Sequence, residues 1–467
     1  MSRWISLCWI GAALALGALA ACSTGSGSVE PALDEGDGTF VREPCRDDEE
    51  YCGGVCVDLA TDPHHCGECR GVCGSGFDCV DGACSCAEGK TDCGRACADL
   101  DSNPNHCGEC GQACGPGFAC VNGECETEAT CSDACPFPNG ITWGCRQRFM
   151  YGSNLAWNQY AGDFGSVPAW GDPGTSANAA VSGDLEDLAN HGVSVIRWWV
   201  IPDFRGAAVQ FDDTGTPISW GGTLLADLER ALELADEHDL YLMLCLFSFD
   251  AFRTNTADGL PVAYPHLRPI ATDPDRRAAL LENVVRPLAR TAEGSPHRDH
   301  LIAWDVINEP EGAMTGASMY GDPDFREWNG LDPMTHEEME SFLLDVISVL
   351  REESSALVTV GSVATIWSRA WINLGLDFYQ FHIYDWIDEQ ISFSSSPQEL
   401  GIDDKPVVMG EFPNTGLDSA NYTTLLESWY GNGYAGALSW SYTDFDWESA
   451  RVDIRGFAEA HACETSY

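Results

Sequence analysis

The sequence predicts an α/β protein whose main part, residues 131–467, is a (β/α)8 barrel preceded by a small disulfide-rich region. Two observations predict the barrel: short, continuously apolar runs occur eight times after Cys145, and amphipathic helical stretches separate them. Continuously apolar strands that alternate with helices are typical of a parallel sheet covered on both faces. Eight such strands in roughly 320 residues fit a closed barrel. An open doubly wound sheet is less favoured, because no glycine-rich phosphate loop follows the first strand.

The predicted strands are short and follow one another along this part of the chain. They are residues 149–157, 193–201, 240–249, 301–308, 356–363, 378–384, 406–412 and 436–442. The segments before the third and fifth strands, LLADLERALELADEHD (224–239) and THEEMESFLLDVISVLREES (335–354), have apolar residues at helical spacing. Because the strands of such a barrel end at one rim and active sites lie there, residues at those ends are the first candidates for function.

Residues 1–22 have the form of an export signal. Arg3 precedes an apolar run that ends in small residues, as in secretory signals. The stretch LAAC (19–22) resembles a bacterial lipobox, which implies cleavage before Cys22 and lipid on its sulfur. We therefore expect an exported protein that is lipid-anchored at the bacterial cell envelope, with ordinary secretion as the alternative. Residues 23–44 would form a flexible acidic linker.

Sixteen of the 23 cysteines lie between residues 45 and 125 and repeat with a period of 41 residues. The two units, 45–85 and 86–130, are too short to bury much core, so disulfides must supply their stability. We expect four bridges within each unit, with a connectivity that sequence cannot give. Their CxxC pairs could instead hold zinc, but export to an oxidising compartment favours disulfides. The units resemble the stigma-specific (Stig1-like) cysteine-rich repeat, which leaves a spacer and a carbohydrate-binding module both open.

The cysteines of the barrel region divide into two groups. Cys245 lies within the apolar run LYLMLCLF and should be a free, buried thiol. Cys131, Cys135, Cys145 and Cys463 remain. Two bridges among these four would tie the ends of the barrel together.

The formal charge of −49, from 73 acidic and 24 basic residues, limits the partners that the protein can bind. Such a field repels nucleic acid and anionic polymers, so we expect an uncharged substrate and no nucleic-acid partner. We expect a monomer that uses no cofactor. We also expect no metal ion, since no His-rich ligand set occurs. A serine hydrolase is also disfavoured, because the chain contains no GxSxG stretch.

Several predicted strands carry ionisable or aromatic residues where the rim would form. These residues are Arg197 in the second strand, Asn308 and Glu309 at the end of the fourth, His382 and Tyr384 at the end of the sixth, Glu411 in the seventh and Trp440 in the eighth. Two carboxylates that face one another across a barrel suit the cleavage of a glycosidic bond. A separation of about 5–5.5 Å gives retention of the anomeric configuration, and a wider one gives inversion.

Together these motifs resemble glycoside hydrolase clan A, with family 5, the cellulase and β-mannanase family, as the nearest match. The resemblance rests on NEP (308–310), HIY (382–384), GEF (410–412) and Trp440. It implies Glu309 as the acid/base and Glu411 as the nucleophile of a retaining enzyme. The other implied roles are Asn308 at the sugar 2-hydroxyl, Arg197 and Tyr384 as partners of Glu411, His382 in the subsite, and Trp440 as a sugar platform followed by a cis bond to Ser441.

The sequence thus predicts a glycosidase that cuts a neutral polysaccharide, either β-mannan or β-glucan. Trp440 should share the sugar-binding surface with one or more of Trp157, Trp198 and Trp199. The alternative is a non-catalytic glycan-binding lipoprotein built on a glycosidase-like barrel. The presence of both Glu309 and Glu411 favours the enzyme.

Two features depart from the simplest pattern. Many members of family 5 place a histidine at the end of the third strand, whereas this chain has Ser248 and Asp250 there. Strict alternation along the fourth strand would also send Asn308 and Glu309 to opposite faces, so the strand must distort at its tip. We expect Pro310 to keep Glu309 extended, because proline disfavours helical backbone at the preceding residue.

Overall fold

The structure is a computed structural model. It describes residues 45–46, 49–52, 55–62, 66–69, 77–86, 89–92, 97–101, 107–110, 112, 118–127, 133–254, 267–444 and 446–467. The predicted export signal, Cys22 and the linker (23–44) lie outside the described residues.

Eight parallel strands close into a barrel in chain order, as the sequence predicts. They are β1 (Met150–Asn154), β2 (Val195–Trp199), β3 (Tyr241–Ser248), β4 (Leu301–Asn308), β5 (Leu357–Ser362), β6 (Tyr379–His382), β7 (Val407–Glu411) and β8 (Gly436–Ser439). Each strand lies within its predicted segment. The barrel closes where β8 pairs with β1, with Gly436 opposite Met150. The C-terminal ends of all eight strands therefore meet at one rim.

Helices of the described chain follow the amphipathic segments of the sequence. They are α1 (Ala180–Asn190), α2 (Leu224–Glu237), α3 (Leu267–Thr272), α4 (Pro274–Leu280), α5 (Arg286–Gly294), α6 (His336–Glu353), α7 (Asp385–Asp388), α8 (Tyr422–Gly431), α9 (Trp447–Ala460) and α10 (Ala462–Thr465). Thr335 and Glu338 form a capping box at the start of α6, and Phe342 and Val346 lie on its buried face. Within the described part of the chain, no helix is both long and apolar enough to cross a bilayer.

Apolar side chains fill the barrel interior near the N-terminal ends of the strands. Met150, Val195, Met243, Val408 and Leu438, from five different strands, belong to one buried cluster. A larger cluster lies between the strands and the surrounding helices. This packing closes the lower end of the barrel, so the C-terminal rim is the end at which a ligand would bind.

A disulfide and an ion pair join the two ends of the barrel region. Cys135 is bonded to Cys463, which confirms one of the bridges expected among the four terminal cysteines. Nη1 of Arg148 also lies 2.7 Å from both carboxylate oxygens of Asp133. Arg148 further donates a hydrogen bond to the carbonyl oxygen of Ser466, so the same side chain holds both chain segments.

Of the remaining barrel cysteines, the structure describes Cys145 and Cys245. Cys145 is in a disulfide, whereas Cys131 lies outside the described residues. Cys245 is a free, buried cysteine, as predicted. Burial raises the pKa of its thiol well above the usual value, which leaves the sulfur protonated and unreactive.

The two cysteine-rich units share one local structure, which repeats with the sequence period. The bridges described in full are Cys45–Cys56, Cys66–Cys79 and Cys107–Cys120. Each bridge joins cysteines of the same unit, and the last two bridges occupy equivalent positions 41 residues apart. Each unit also has a hairpin, Phe77–Val80 with Ala83–Cys86 and Phe118–Val121 with Glu124–Thr127. Gly67 and Gly108 approach these hairpins so closely that a Cβ would collide with the carbonyl oxygen of Gly82 or Gly123.

Candidate active site

Glu309 and Glu411 come together at the C-terminal rim of the barrel. Glu411 is the last residue of β7, and Glu309 follows β4. Each offers a carboxylate oxygen to a cluster with His382, and the ligand atoms of the cluster all lie within 4.8 Å of one another. All three side chains are buried. The spacing of the two carboxylates is that of a retaining glycosidase rather than an inverting one, which requires about 6.5–9.5 Å.

The backbone of Glu309 differs from the sequence expectation. Its φ of 49° and ψ of 50° place it in the left-handed region, so the expectation that Pro310 keeps it extended is wrong. Extended backbone would send Glu309 and Asn308 to opposite faces of the strand, whereas both face the same site. The Glu309 N–H donates to the carbonyl oxygen of Gly361 at 2.6 Å, which holds the turn. Left-handed backbone costs a non-glycine residue about 1–2 kcal/mol, a strain typical of functional positions.

The fully buried Arg197 holds the nucleophile candidate. Its Nη1 lies 2.5 Å from Oε1 of Glu411, and its Nη2 lies 2.8 Å from Oδ1 of Asn308. Its other partners are Asp305 at 2.8 Å and Asn154 at 3.0 Å. A buried guanidinium is tolerated only when its charge and its N–H groups are satisfied, and these partners satisfy them. Arg197 therefore fixes the positions of both Glu411 and Asn308.

Glu411 has two donors that favour its charged form. Besides Arg197, the Tyr384 hydroxyl donates to Oε2 at 3.1 Å, as the resemblance implies. Burial raises the pKa of Glu411 to about 7, and Arg197 and Tyr384 oppose that rise. Burial and the nearby Glu411 charge raise the pKa of Tyr384 well above 10, so the phenol keeps its proton and remains a donor.

Glu309 is the more readily protonated of the two carboxyls. Burial raises its pKa well above the usual range, and the charges of Glu411 and Glu311 raise it further. Nδ1 of His382 lies 2.8 Å from Oε1 of Glu309 and 3.4 Å from Oε2 of Glu411. Burial lowers the pKa of His382 well below 6.5, so its imidazole is neutral. A protonated Glu309 beside a charged Glu411 is thus the state that the surroundings favour.

Three tryptophans line the rim beside the two carboxylates. Trp157 contacts Trp440 with ring centroids 5.8 Å apart and Trp199 with centroids 5.1 Å apart. The Trp440–Ser441 peptide bond is cis, as predicted. Trp198 instead points into the protein, where it packs on Phe164, so it takes no part in this surface.

Several buried polar residues of the site were not predicted. They are Asn154 and Asp305, which bond Arg197; Gln380, which donates to Asp305; and Glu311. Asp305 had a visible signal, since it is a charge within the apolar run LIAWDVIN. Glu311 accepts hydrogen bonds from the Ser362 hydroxyl at 2.5 Å and the Trp371 indole at 2.8 Å. These contacts anchor the turn that follows Glu309.

The end of β3 carries an ion pair where many family members have histidine. Oδ1 of Asp250 lies 2.5 Å from Nη2 of Arg253, and Asp250 is buried. The Ser248 hydroxyl lies 3.3 Å from Oδ2 of the same aspartate. Burial and the charge of Glu411 are the main causes of the raised pKa of Glu309. The charge of Asp250 raises that pKa by a smaller amount.

Glu309, His382 and Glu411 also have a spacing at which they could hold a metal ion. Two contacts of these residues favour a role in proton transfer over metal binding. Arg197 already supplies a positive charge at Glu411, which would repel a cation. Nδ1 of His382, the ring nitrogen near both carboxylates, is engaged in the hydrogen bond to Glu309.

The chain is similar to several known proteins. Residues 19–87 match the stigma-specific STIG1-like protein family. A mannan endo-1,4-beta-mannosidase of Mytilus edulis is 25% identical over 331 residues, which cover 64% of this chain and 85% of that protein. The enzyme of the same name from Cryptopygus antarcticus is 24% identical over 332 residues, with 64% and 82% covered.

Solved structures agree in fold. The blue mussel β-mannanase matches with a TM-score of 0.60 and 22% identity, over 70% of this chain and 97% of that one. The β-1,4-mannanase of the sea hare Aplysia kurodai matches with a TM-score of 0.58, 22% identity and the same coverage. The resemblance to glycoside hydrolase family 5 that the sequence predicts is therefore confirmed, and the chain joins a barrel similar to those of β-mannanases to a Stig1-like region.

Proposed function

We propose that this chain is a retaining glycoside hydrolase that cleaves β-1,4-mannan within the polymer. One observation carries the proposal: Glu309 and Glu411 present carboxylate oxygens within 4.8 Å of one another in a buried site. At the narrow spacing of retaining enzymes the second carboxylate attacks the anomeric carbon directly, whereas an inverting enzyme needs a wider gap that holds a water.

In the first step, a carboxylate oxygen of Glu411 forms a bond to the anomeric carbon while the glycosidic bond breaks. The proton of Glu309 passes to the leaving oxygen, so Glu309 becomes charged and Glu411 becomes a neutral ester. In the second step, Glu309 takes a proton from water, the water oxygen bonds the anomeric carbon, and Glu411 leaves as a carboxylate. The second inversion restores the original β configuration.

The electrostatics of the pair suit this exchange of roles. The negative charge of Glu411 is one cause of the raised pKa of Glu309. When Glu411 becomes an ester, that charge disappears and the pKa of Glu309 falls. Glu309 is therefore an acid before the bond is cleaved and a base afterwards. Arg197 remains in place throughout and receives the Glu411 carboxylate when it leaves.

Mannan is the proposed polymer because the relatives that match most of the barrel are named mannan endo-1,4-beta-mannosidases. The test is release of reducing sugar from linear β-1,4-mannan and from hydroxyethyl cellulose, an uncharged cellulose derivative, with Glu411→Ala as the inactive control. We expect activity on mannan that exceeds that on cellulose. Proton NMR during the reaction should show the β anomer of the product first. Initial α product, or a preference for cellulose, would contradict the proposal.

We further propose, from the sequence, that the mature protein begins at Cys22 and is anchored by lipid in the cell envelope. LAAC (19–22) supports this, and the cysteine-rich units would then act as a stiff spacer between membrane and enzyme. Cys22→Ala should move the protein from the membrane to the soluble fraction, whereas Cys8→Ala should leave it in the membrane. A wild-type protein that carries no acyl group by mass spectrometry would contradict the proposal.

A further inference from the structure

A continuous series of ring contacts leads from the catalytic site to the protein surface. Trp440 contacts Trp157 with centroids 5.8 Å apart, and Trp157 contacts Tyr160 at 4.9 Å. The Arg205 guanidinium lies over the Tyr160 ring at 4.5 Å and over the Trp170 ring at 5.6 Å. We call these five residues the aromatic track. Trp157 meets both Trp440 and Tyr160 edge to face, with interplanar angles of 73° and 76°.

The outer end of the track is exposed, whereas its other four residues are partly buried. Trp157, Tyr160, Arg205 and Trp440 are partly buried, whereas Trp170 is 44% exposed. Arg205 lies over the Trp170 ring, and the exposed part of Trp170 is accessible to a ligand. The track therefore reaches solvent at Trp170.

A buried ion pair fixes the middle of the track. Nε of Arg205 lies 2.7 Å from Oδ2 of Asp203, which is buried. The Arg205 backbone N–H also donates to Oδ1 of Asp203 at 3.0 Å. Arg205 is therefore held in one conformation, and stacking a ligand on the surface it supports costs little side-chain entropy.

An unpartnered polar atom lies beside the inner end of the track. Trp199 is 5% exposed and contacts both Trp157 and Trp440. Its indole Nε1–H is buried without a hydrogen-bond partner among the described residues. A buried N–H of this kind is rare unless a ligand or water accepts its hydrogen bond, and a sugar hydroxyl would do so.

We propose that the aromatic track binds the glycone end of the mannan chain, with Trp170 as a distal sugar platform and Trp199 Nε1 as a hydroxyl donor near the cleavage point. The proposal rests on the proposed mannanase activity. Sugar rings present apolar C–H faces, which aromatic rings bind by burying apolar surface. The aromatic rings of the track are uncharged and Asp203 pairs with the charge of Arg205, which suits a neutral polymer, given the net charge of −49.

The direction of the chain follows from the strand order. The leaving group must pass Glu309, which follows β4, whereas the sugar attacked by Glu411 rests on Trp440 after β8. Trp157, Tyr160 and Trp170 follow β1, which is next to β8 in the barrel and remote from β4. The track therefore extends on the side of the sugar that stays bound to the enzyme.

The test compares wild type, Trp170→Ala and Trp170→Tyr on β-1,4-mannotriose and mannohexaose labelled at the reducing end. For Trp170→Ala, the ratio of kcat/KM for the hexaose to that for the triose should fall about tenfold. The fragments released from the non-reducing side should also become shorter. Trp170→Tyr should keep most of the wild-type ratio of the two kcat/KM values, because tyrosine retains an aromatic ring. The control is Trp386→Ala, which removes an equally exposed indole from α7, the helix after β6, and should not shorten these fragments.

The outcomes separate this proposal from the proposed function. A wild-type protein that cleaves no mannooligosaccharide overturns both. A wild-type protein that cleaves the hexaose, together with a Trp170→Ala variant of unchanged ratio and unchanged fragments, overturns the track alone. A variant whose reducing-side fragments shorten instead would place Trp170 on the leaving-group side and contradict the assigned direction.

Discussion

Nη1 of Arg197 lies 2.5 Å from Oε1 of Glu411, and both side chains are buried within the barrel. The contact supplies the nucleophile with a permanent positive neighbour that no pH in the working range can remove, because arginine stays protonated. Nη2 of the same guanidinium bonds Asn308, the residue before Glu309. The geometry of both carboxylates thus depends on one side chain.

Loss of the Tyr384 hydroxyl should shift the acid limb of the pH profile. That hydroxyl donates to the charged form of Glu411, so Tyr384→Phe should raise the pKa of Glu411. Activity is lost as pH falls through this pKa, so the acid limb of kcat/KM should move upward by about one unit. The control is Tyr379→Phe, whose hydroxyl bonds Asp404 instead. An acid limb that stays in place in Tyr384→Phe would show that Tyr384 does not tune the nucleophile.

Asn308 should act through the sugar 2-hydroxyl. Its Oδ1 accepts from Arg197, which leaves its amide N–H groups available to bind a ligand. Asn308→Ala should lower kcat about a hundredfold on an aryl β-mannoside. On the matching 2-deoxy substrate, the kcat values of wild type and variant should differ much less, because this substrate lacks the hydroxyl that Asn308 would bind. Equal losses on both substrates would assign Asn308 to positioning Arg197 alone.

Asp305 should be important for stability. It pairs with the fully buried Arg197, so Asp305→Asn leaves a buried charge partly uncompensated. We expect the free energy of unfolding to fall by about 3–5 kcal/mol in guanidinium titrations. The control is Glu233→Gln, which breaks the exposed pair with Arg230 and should cost at most about 1 kcal/mol. Similar values for both variants would contradict the importance of the buried pair.

The cysteine assignment predicts a thiol count. From residue 45 onward, one thiol should react under denaturing, non-reducing conditions, and peptide mapping should identify it as Cys245. The native protein should show no reaction, because Cys245 is buried. A modified Cys245 in the native protein, or a bridge between the two cysteine-rich units, would overturn the assignment.

The barrel was predictable because its strands are buried on both faces and therefore appear as continuous apolar runs. Convergence of Glu309 and Glu411 followed from topology, since parallel strands end at one rim. The conformation of Glu309 did not follow, because it depends on Gly361 of the neighbouring strand, whose carbonyl accepts its N–H. The aromatic track was hidden for the same reason: Trp170 and Arg205 come from separate loops, and no local pattern links them.

Azide rescue of two variants tests the roles of the carboxyls most directly. With dinitrophenyl β-mannoside, whose leaving group needs no proton, Glu309→Ala should still form the glycosyl-enzyme. Water then lacks its base, so added azide should speed turnover and give β-mannosyl azide. Glu411→Ala cannot form that intermediate, so azide should attack directly and give α-mannosyl azide. NMR identifies the anomers. The opposite anomers would exchange the two roles, and wild-type activity of both variants on mannan would show that the chemistry lies elsewhere.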